Sequence, residues 1–314
     1  MRKIKNVYDH IRSNNIKTAI LVALFPLIFI ALVFLFTWMV IPADQALKTT
    51  ISVAIPTAIA CIIWLGISWA FGDAMMLNIA GAHQIYDSDP ENREIFRAVE
   101  NVALAAGLPT PRVYIIDDAS MNASATGRSP RDASVALTRG IIKRLDRLEL
   151  EGVIAHEMAH IGNRDIRLDM LLITGVGVTV FAADFIGRML ASGVGRSSND
   201  NDNKGGAAVL LMVWLAFMVF NFIITPLLRM AVSRNREYAA DATGAYITRN
   251  PHALASALQK ITTDSRVECL DKMKSMSAVC IANPRSLREF SSSLLATHPP
   301  VEKRIERLES MNIK

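Results

Sequence analysis

Cysteine is scarce in this sequence: Cys61, Cys269 and Cys280 are all there is in 314 residues. The odd number, the lack of paired metal spacing and the position of Cys61 inside an apolar run argue against a disulfide framework and fit a reducing compartment. Charge is also thin. Charged residues make up 20% of the chain, against about 25% in an average soluble protein, while hydrophobic residues reach 51%. That excludes a disordered protein, which needs low hydrophobicity and high net charge. The sequence has no internal repeat, no stripe of interleaved basic and aromatic residues and no zinc-finger spacing. Its net charge of +5 therefore gives no support to a nucleic-acid partner.

The apolar residues are concentrated in four runs. The first, Thr18 to Ile41, contains no charge. As a helix it is roughly 36 Å long, enough to cross a hydrocarbon core of about 30 Å. The second covers Thr49 to Gly72. The third, weaker, covers Met170 to Ala183 and is extended by Phe185 and Ile186 past Asp184. The fourth covers Gly205 to Leu228. Core helices seldom exceed about 18 residues without a charge, so these runs are read as transmembrane helices. The basic start of the chain resembles a signal peptide. The apolar run behind it is too long for one, and no A-x-A site follows Ile41, so it reads as a retained anchor.

Lys and Arg set the orientation. Arg2, Lys3, Lys5, Arg12 and Lys17 precede the first span, and Arg229, Arg234 and Arg236 crowd the exit of the fourth. The links between spans one and two and between three and four hold only Lys48, and Arg196 with Lys204. The expected order is a basic cytoplasmic N-terminus (1–17), spans one and two (18–72), a first cytoplasmic segment (73–165), spans three and four around a polar loop (166–228, loop 190–205) and a second cytoplasmic segment (229–314). The pattern predicts helices over Glu91–Ala106, Leu148–Gly162 and Arg229–Ile247, a helix starting at Asn250–Pro251, and a last one after His298–Pro299–Pro300. RVYIID (112–117) and SVALT (134–138) read as short strands.

Residues 156–160 read HEMAH. Positions i and i+4 share a helix face, so His156 and His160 can point both imidazoles at one zinc ion. Glu157, rotated by about 100°, stands beside the open coordination position. There it can take a proton from an attacking water and pass it to the leaving amine. The flanking Val153, Ile154, Ala155, Met158, Ala159 and Ile161 bury this helix, where unpaired polar groups are costly. A catalytic zinc needs a third protein ligand. The remaining histidines (His10, His83, His252, His298) and nearby carboxylates are candidates. Among the latter, Glu237 can ligate while Asp241, four residues on, accepts the free N–H of a ligating histidine. His160 stands ten residues before Met170, and Glu237 nine residues after Leu228. Both are thus roughly 14–15 Å from one membrane face, because spans three and four form a hairpin.

HEMAH, the later EYAAD, the terminal THPPVEKRI and the two leading apolar spans together resemble the HtpX membrane zinc metalloproteases, relatives of the CAAX prenyl endopeptidase. The resemblance runs from the first span to Ile305. It implies His156, His160 and Glu237 as ligands of one Zn2+ and Glu157 as general base. It further implies His298 beside the substrate carbonyl and Arg304 as a buttress of the site. The family's N-A-F-A-x-G edge strand, which would bind an extended peptide, reads Asn122-Ala123-Ser124-Ala125-Thr126-Gly127 here, with Ser124 in place of the aromatic.

The expected fold is α+β, mostly α-helical: four transmembrane helices and a cytoplasmic zincin-type metalloprotease domain with a small β-sheet. The expected function is hydrolysis of membrane-protein or peptide substrates at the cytoplasmic face of a bacterial inner membrane, in quality control and stress response, with the lipid bilayer as partner and no nucleic acid. Two other readings remain at this point. A zinc-regulated transporter would carry its site near the midplane, and a zinc-binding scaffold would need a closed site of four ligands. The i,i+4 pair Asp184 and Arg188 reads as structural, and the stretch with Cys269, Met273, Met276 and Cys280, interrupted by Lys272 and Lys274, as a packed apolar surface.

Overall fold

The structure, a computed structural model, describes residues 43–192, 204–224, 234–263 and 300–312, with scattered positions among 12–38. Nearly half of the first apolar run, most of the polar loop, and His298, Cys269 and Cys280 lie outside them. In chain order the elements are α1 (Ala43–Ile79), β1 (Ala82–Ile85), α2 (Arg93–Ala105), β2 (Arg112–Ile116), β3 (Ala123–Thr126), β4 (Ser134–Thr138), α3 (Arg139–Arg144), α4 (Arg147–Gly162) and α5 (Asp165–Ala191). There follow α6 (Lys204–Val219), a π-helical turn (Phe220–Ile224), α7 (Arg234–Thr248), α8 (Pro251–Thr263) and α9 (Val301–Glu309). The protein is mostly helical with one small mixed sheet.

The sheet has the order β1-β2-β4-β3. β1 pairs antiparallel with β2, β2 parallel with β4, and β3 antiparallel with β4. β4 is buried along its whole length, as expected of an interior strand covered on both faces. Its Val135 and Leu137 join Val113 and Ile115 of β2, Val99 and Val102 of α2, and Ile154 and Met158 of α4 in one core. At the end of β4 the chain passes straight into α3. A Cβ on Gly140 would overlap the carbonyl oxygens of Ala119 and Ser120, so only glycine allows the loop before β3 to lie this close.

α4 is the central helix. Apolar residues surround it, so it is buried on nearly all sides. Its start is fixed by a capping box. The Asp146 carboxylate accepts from Glu149 N and the Glu149 carboxylate accepts from Asp146 N, both at 2.9 Å. Glu149 also accepts from Ser256 Oγ and Lys260 Nζ of α8, each at 2.6 Å. One carboxylate therefore caps α4 and ties it to α8. Where α7 crosses α4, a Cβ on Gly244 would stand 3.0 Å from His156 N. This glycine sets how closely the two helices approach.

α4 does not run on into α5. Asn163 closes it, Arg164 takes a left-handed conformation (φ 60°), and α5 starts at Asp165. The straight helical path assumed between His160 and Met170 is thus replaced by a turn. A Gly–Asn pair at the helix end favours that stop, since the last carbonyls are satisfied by a tight turn rather than by more helix.

Of the described residues, α1 over Ala54–Ile79 is the one helix long and apolar enough to cross a membrane. Its Ile55, Ile59, Ile62 and Ile63 are more than half exposed, as they would be towards lipid rather than a core. α5 and α6, which match the expected third and fourth spans, do not meet that standard by themselves among the described residues. α5 packs on both α1 and α6 and carries Asp184 and Arg188 as an exposed ion pair at 2.7 Å. The fourth apolar run does not continue as regular α-helix. It widens into the π-helical turn, where Asn221 Oδ1 accepts a 2.6 Å hydrogen bond from Thr179 of α5. A polar cross-helix bond at a π turn is a common way to absorb an extra residue in a helix.

Candidate metal centre

His156 and His160, one turn apart on α4, meet Glu237 from the first turn of α7. Their Nε2 atoms are 3.2 Å apart. Glu237 faces them with Oε1 3.7 Å from His160 Nε2 and Oε2 3.8 Å from His156 Nε2. The three side chains are about nine-tenths buried, and one atom from each lies within 4.8 Å of the others. Two nitrogens held about 2.0–2.1 Å from a tetrahedral zinc stand roughly 3.3 Å apart, close to the separation seen. Two imidazoles and one carboxylate are also the donor set such an ion takes. The residues fit a single metal ion.

Each histidine is steered from behind. Asp165 Oδ2 is hydrogen-bonded to His160 Nδ1 at 2.8 Å. Asp241 Oδ1 lies 3.0 Å from His156 Nδ1. With both Nδ1 atoms turned to carboxylates, both Nε2 atoms are left for a metal. Arg304 of α9 donates two bonds to Asp241, from Nε at 2.8 Å and from Nη2 at 2.7 Å, and brings Nη1 within 3.5 Å of Glu237. One buried guanidinium thereby holds the carboxylate behind His156 and the carboxylate ligand together. On the other side Arg236 of α7 reaches Asp169 at 2.9 Å and Asp165 at 3.6 Å on α5.

Burial alone would lower the His160 pKa. The hydrogen bond to Asp165 and the charges of Glu237, Asp165 and Glu157 outweigh it and raise the value to about 9. For Asp165 and Asp241 burial works in the opposite direction, upward. The bond and charge of His160 with Arg236 for the first, and Arg304 with His156 for the second, hold both carboxyls below their usual range. The site is a compensated network of buried charges in which no partner can be removed cheaply.

The structure thus brings together His156, His160, Glu237, Asp241 and Arg304. Glu157 lies beside them on α4, half-buried, near enough for its charge to act on His160 and Arg304. Asn122, Ala123, Ser124 and Ala125 fall on or next to β3, an edge of the sheet that packs against α4. His298 is outside the described residues. Asp165 and Asp169 are neighbours of the site that the sequence reading passed over, and Arg236 was read only as an orientation charge. The signal available was an acid just past the end of the HEMAH helix, and an arginine next to the carboxylate ligand. Among the described residues no fourth metal-ligating side chain joins the three.

The sequence pattern of peptidase family M48 matches residues 89–312. The "Protease HtpX homolog" of Thermoanaerobacter pseudethanolicus is 37% identical over 98% of this chain and 99% of its own length. That of Caldanaerobacter subterraneus subsp. tengcongensis is 38% identical over 98% and 99%. The crystal structure of S. mikatae Ste24p aligns with 94% of this chain at 17% identity and a TM-score of 0.45, and the chain spans 65% of its length. On the strength of the family match and the full-length relatives, the chain belongs to peptidase family M48 and is an HtpX-like metallopeptidase.

Proposed function

We propose that the protein is a zinc-dependent endopeptidase of a bacterial cytoplasmic membrane, cleaving membrane-associated or misfolded proteins at the cytoplasmic face as part of membrane quality control and stress response. The observation that carries this reading is the convergence of two Nε2 atoms and one carboxylate, with a glutamate on the same helix beside them. His156, His160 and Glu237 would hold the ion, one per chain. Bound there, zinc would supply Lewis-acid chemistry toward a carbonyl and a water. Glu157 takes the proton from the attacking water and delivers it to the leaving amine. His298 hydrogen-bonds the developing oxyanion. β3 adds an extended substrate to its free edge through main-chain bonds, which need little side-chain selectivity.

Four spans, with the N-terminus and the site on the cytoplasmic side, follow from the four apolar runs and the one-sided distribution of Lys and Arg. The test is cleavage in proteoliposomes. A membrane-anchored substrate should be cut faster than its soluble counterpart, cleavage should stop with a chelator, and zinc should restore it. Zinc-dependent solute flux without peptide cleavage would establish the transporter instead.

A further inference from the structure

Where α1 meets α5, arginine collects without matching acid. Arg167, in the first turn of α5, lies with its guanidinium 5.3 Å from the Trp69 ring of α1. Its Nε donates to the carbonyl of Arg128 at 2.8 Å. No carboxylate lies within ion-pair distance of Arg167 among the described residues. Arg164, one turn before it, and Arg131, exposed in the loop with Arg128, have none either. Asp132 is the acid of this corner, and Arg128 already occupies it at 2.7 Å. Among the described residues, Arg167, Arg164 and Arg131 thus have no carboxylate partner, and Arg128 holds Asp132.

Trp69 sits three residues before Gly72, where the uncharged run ends ahead of Asp73, within the candidate membrane helix Ala54–Ile79. A half-exposed tryptophan there is what the headgroup level of a bilayer selects. A guanidinium stacked on it, with Nε on the Arg128 carbonyl and Nη1 3.4 Å from Asn15 Oδ1, is held in place and keeps Nη2, which has no protein partner among the described residues, for a charge-assisted bond to a phosphate.

We infer that Arg167, Arg164 and Arg128, steadied by Trp69, bind the phosphate of an anionic phospholipid at the membrane face that carries the peptidase domain. The inference rests on α1 crossing the membrane as in the proposed function, but not on which side faces the cytoplasm. A bound lipid would pin α1 to α5 at Arg167, two residues from the Asp165 start of α5 that steers His160.

The experiment uses the full chain in zwitterionic nanodiscs with increasing phosphatidylglycerol, read by native mass spectrometry of retained lipid. Phosphatidylglycerol should be retained over phosphatidylcholine. Arg167→Gln and Arg164→Gln should each lower its apparent affinity about fivefold, while Arg167→Lys keeps most of it. Zinc content and cleavage of a soluble peptide in zwitterionic discs report whether the variants are folded and should be unchanged. Inorganic phosphate at millimolar concentration should not compete. If it competes fully, the site takes free phosphate and the lipid assignment fails. Equal retention of both lipids, or retention unaffected by the substitutions in folded protein, overturns the inference. Accessibility of Arg131→Cys to an impermeant thiol reagent reports the side of the membrane separately. An opposite side would refute the topology and leave the lipid site standing.

Discussion

Replacing Asp165 probes how much of the metal site resides in the residues behind the ligands. Asp165 is 1% exposed, so solvent does not screen its charge. It touches His160 Nδ1 at 2.8 Å and stands 3.6 Å from Arg236. Asp165→Asn keeps an oxygen that can accept the Nδ1–H bond but removes the charge. Asp165→Ala removes both and leaves a buried imidazole N–H without a partner, a loss of about 1–3 kcal/mol. Groups that orient a ligating histidine are worth about 10–100-fold in metal affinity. The asparagine variant should fall at the lower end of that range, about tenfold, and the alanine variant at the upper end. Both should lower the pKa of His160 in the metal-free protein from its value of about 9. Zinc affinity is measured by competition with a chromogenic chelator, and the His160 titration by NMR. An asparagine variant with wild-type affinity and an unshifted His160 would refute the assignment of Asp165 as the group that prepares this ligand.

Zinc uptake should be pH-dependent, because His160 must lose a proton to bind metal. Below about pH 9 the apparent affinity should drop by up to about tenfold per unit as the pH falls. Chelator competition between pH 6.5 and 9 measures the slope. For the metal-free protein the sign reverses. A histidine whose pKa rises on folding stabilises fully below its unfolded value near 6.5 and loses that contribution as the pH climbs through about 9, which melting curves at both ends would show. Gly244→Ala places a methyl 3.0 Å from His156 N, an atom that cannot step aside. It should cost about 1–3 kcal/mol and lower zinc affinity by moving Glu237 away from the histidines, read by melting temperature and chelator competition on one sample. Glu149→Ala should lower stability by about 2 kcal/mol through the lost cap and its bonds to α8. In denaturant titrations that loss should come with unchanged zinc stoichiometry.

What could be read in advance follows a physical pattern. α4 was legible because apolar residues flank HEMAH and a Gly–Asn stop closes it; it runs Arg147–Gly162, against an expected 148–162. β4 occupies the expected 134–138 and β2 falls within 112–117, since both are short β-branched runs between polar turns. The parallel pairing of β2 with β4 was not legible, because strand order depends on how the intervening β3 returns along the edge. Asp241 and Glu237 could be seen as a pair because i and i+4 share a face. Asp165 could not, since it reaches His160 only through the left-handed turn at Arg164, which helix periodicity does not encode. Arg236 was read as a topological charge at the exit of the fourth run. In the fold it points inward to Asp169 and Asp165, so one arginine can mark orientation and also brace the site. The π-helical turn at Phe220–Ile224 escaped for a related reason: hydropathy sees an apolar run but not a cross-helix bond such as Thr179 to Asn221.

The central claim is that His156, His160 and Glu237 hold a catalytic metal for which Glu157 moves the proton. It is tested most directly by the peptide-hydrolysis rate of purified Glu157→Gln against wild type at equal measured zinc content. One zinc per chain in both proteins, with hydrolysis reduced at least about a hundredfold in the variant, is the predicted result. Near-wild-type hydrolysis by a zinc-loaded Glu157→Gln would contradict it.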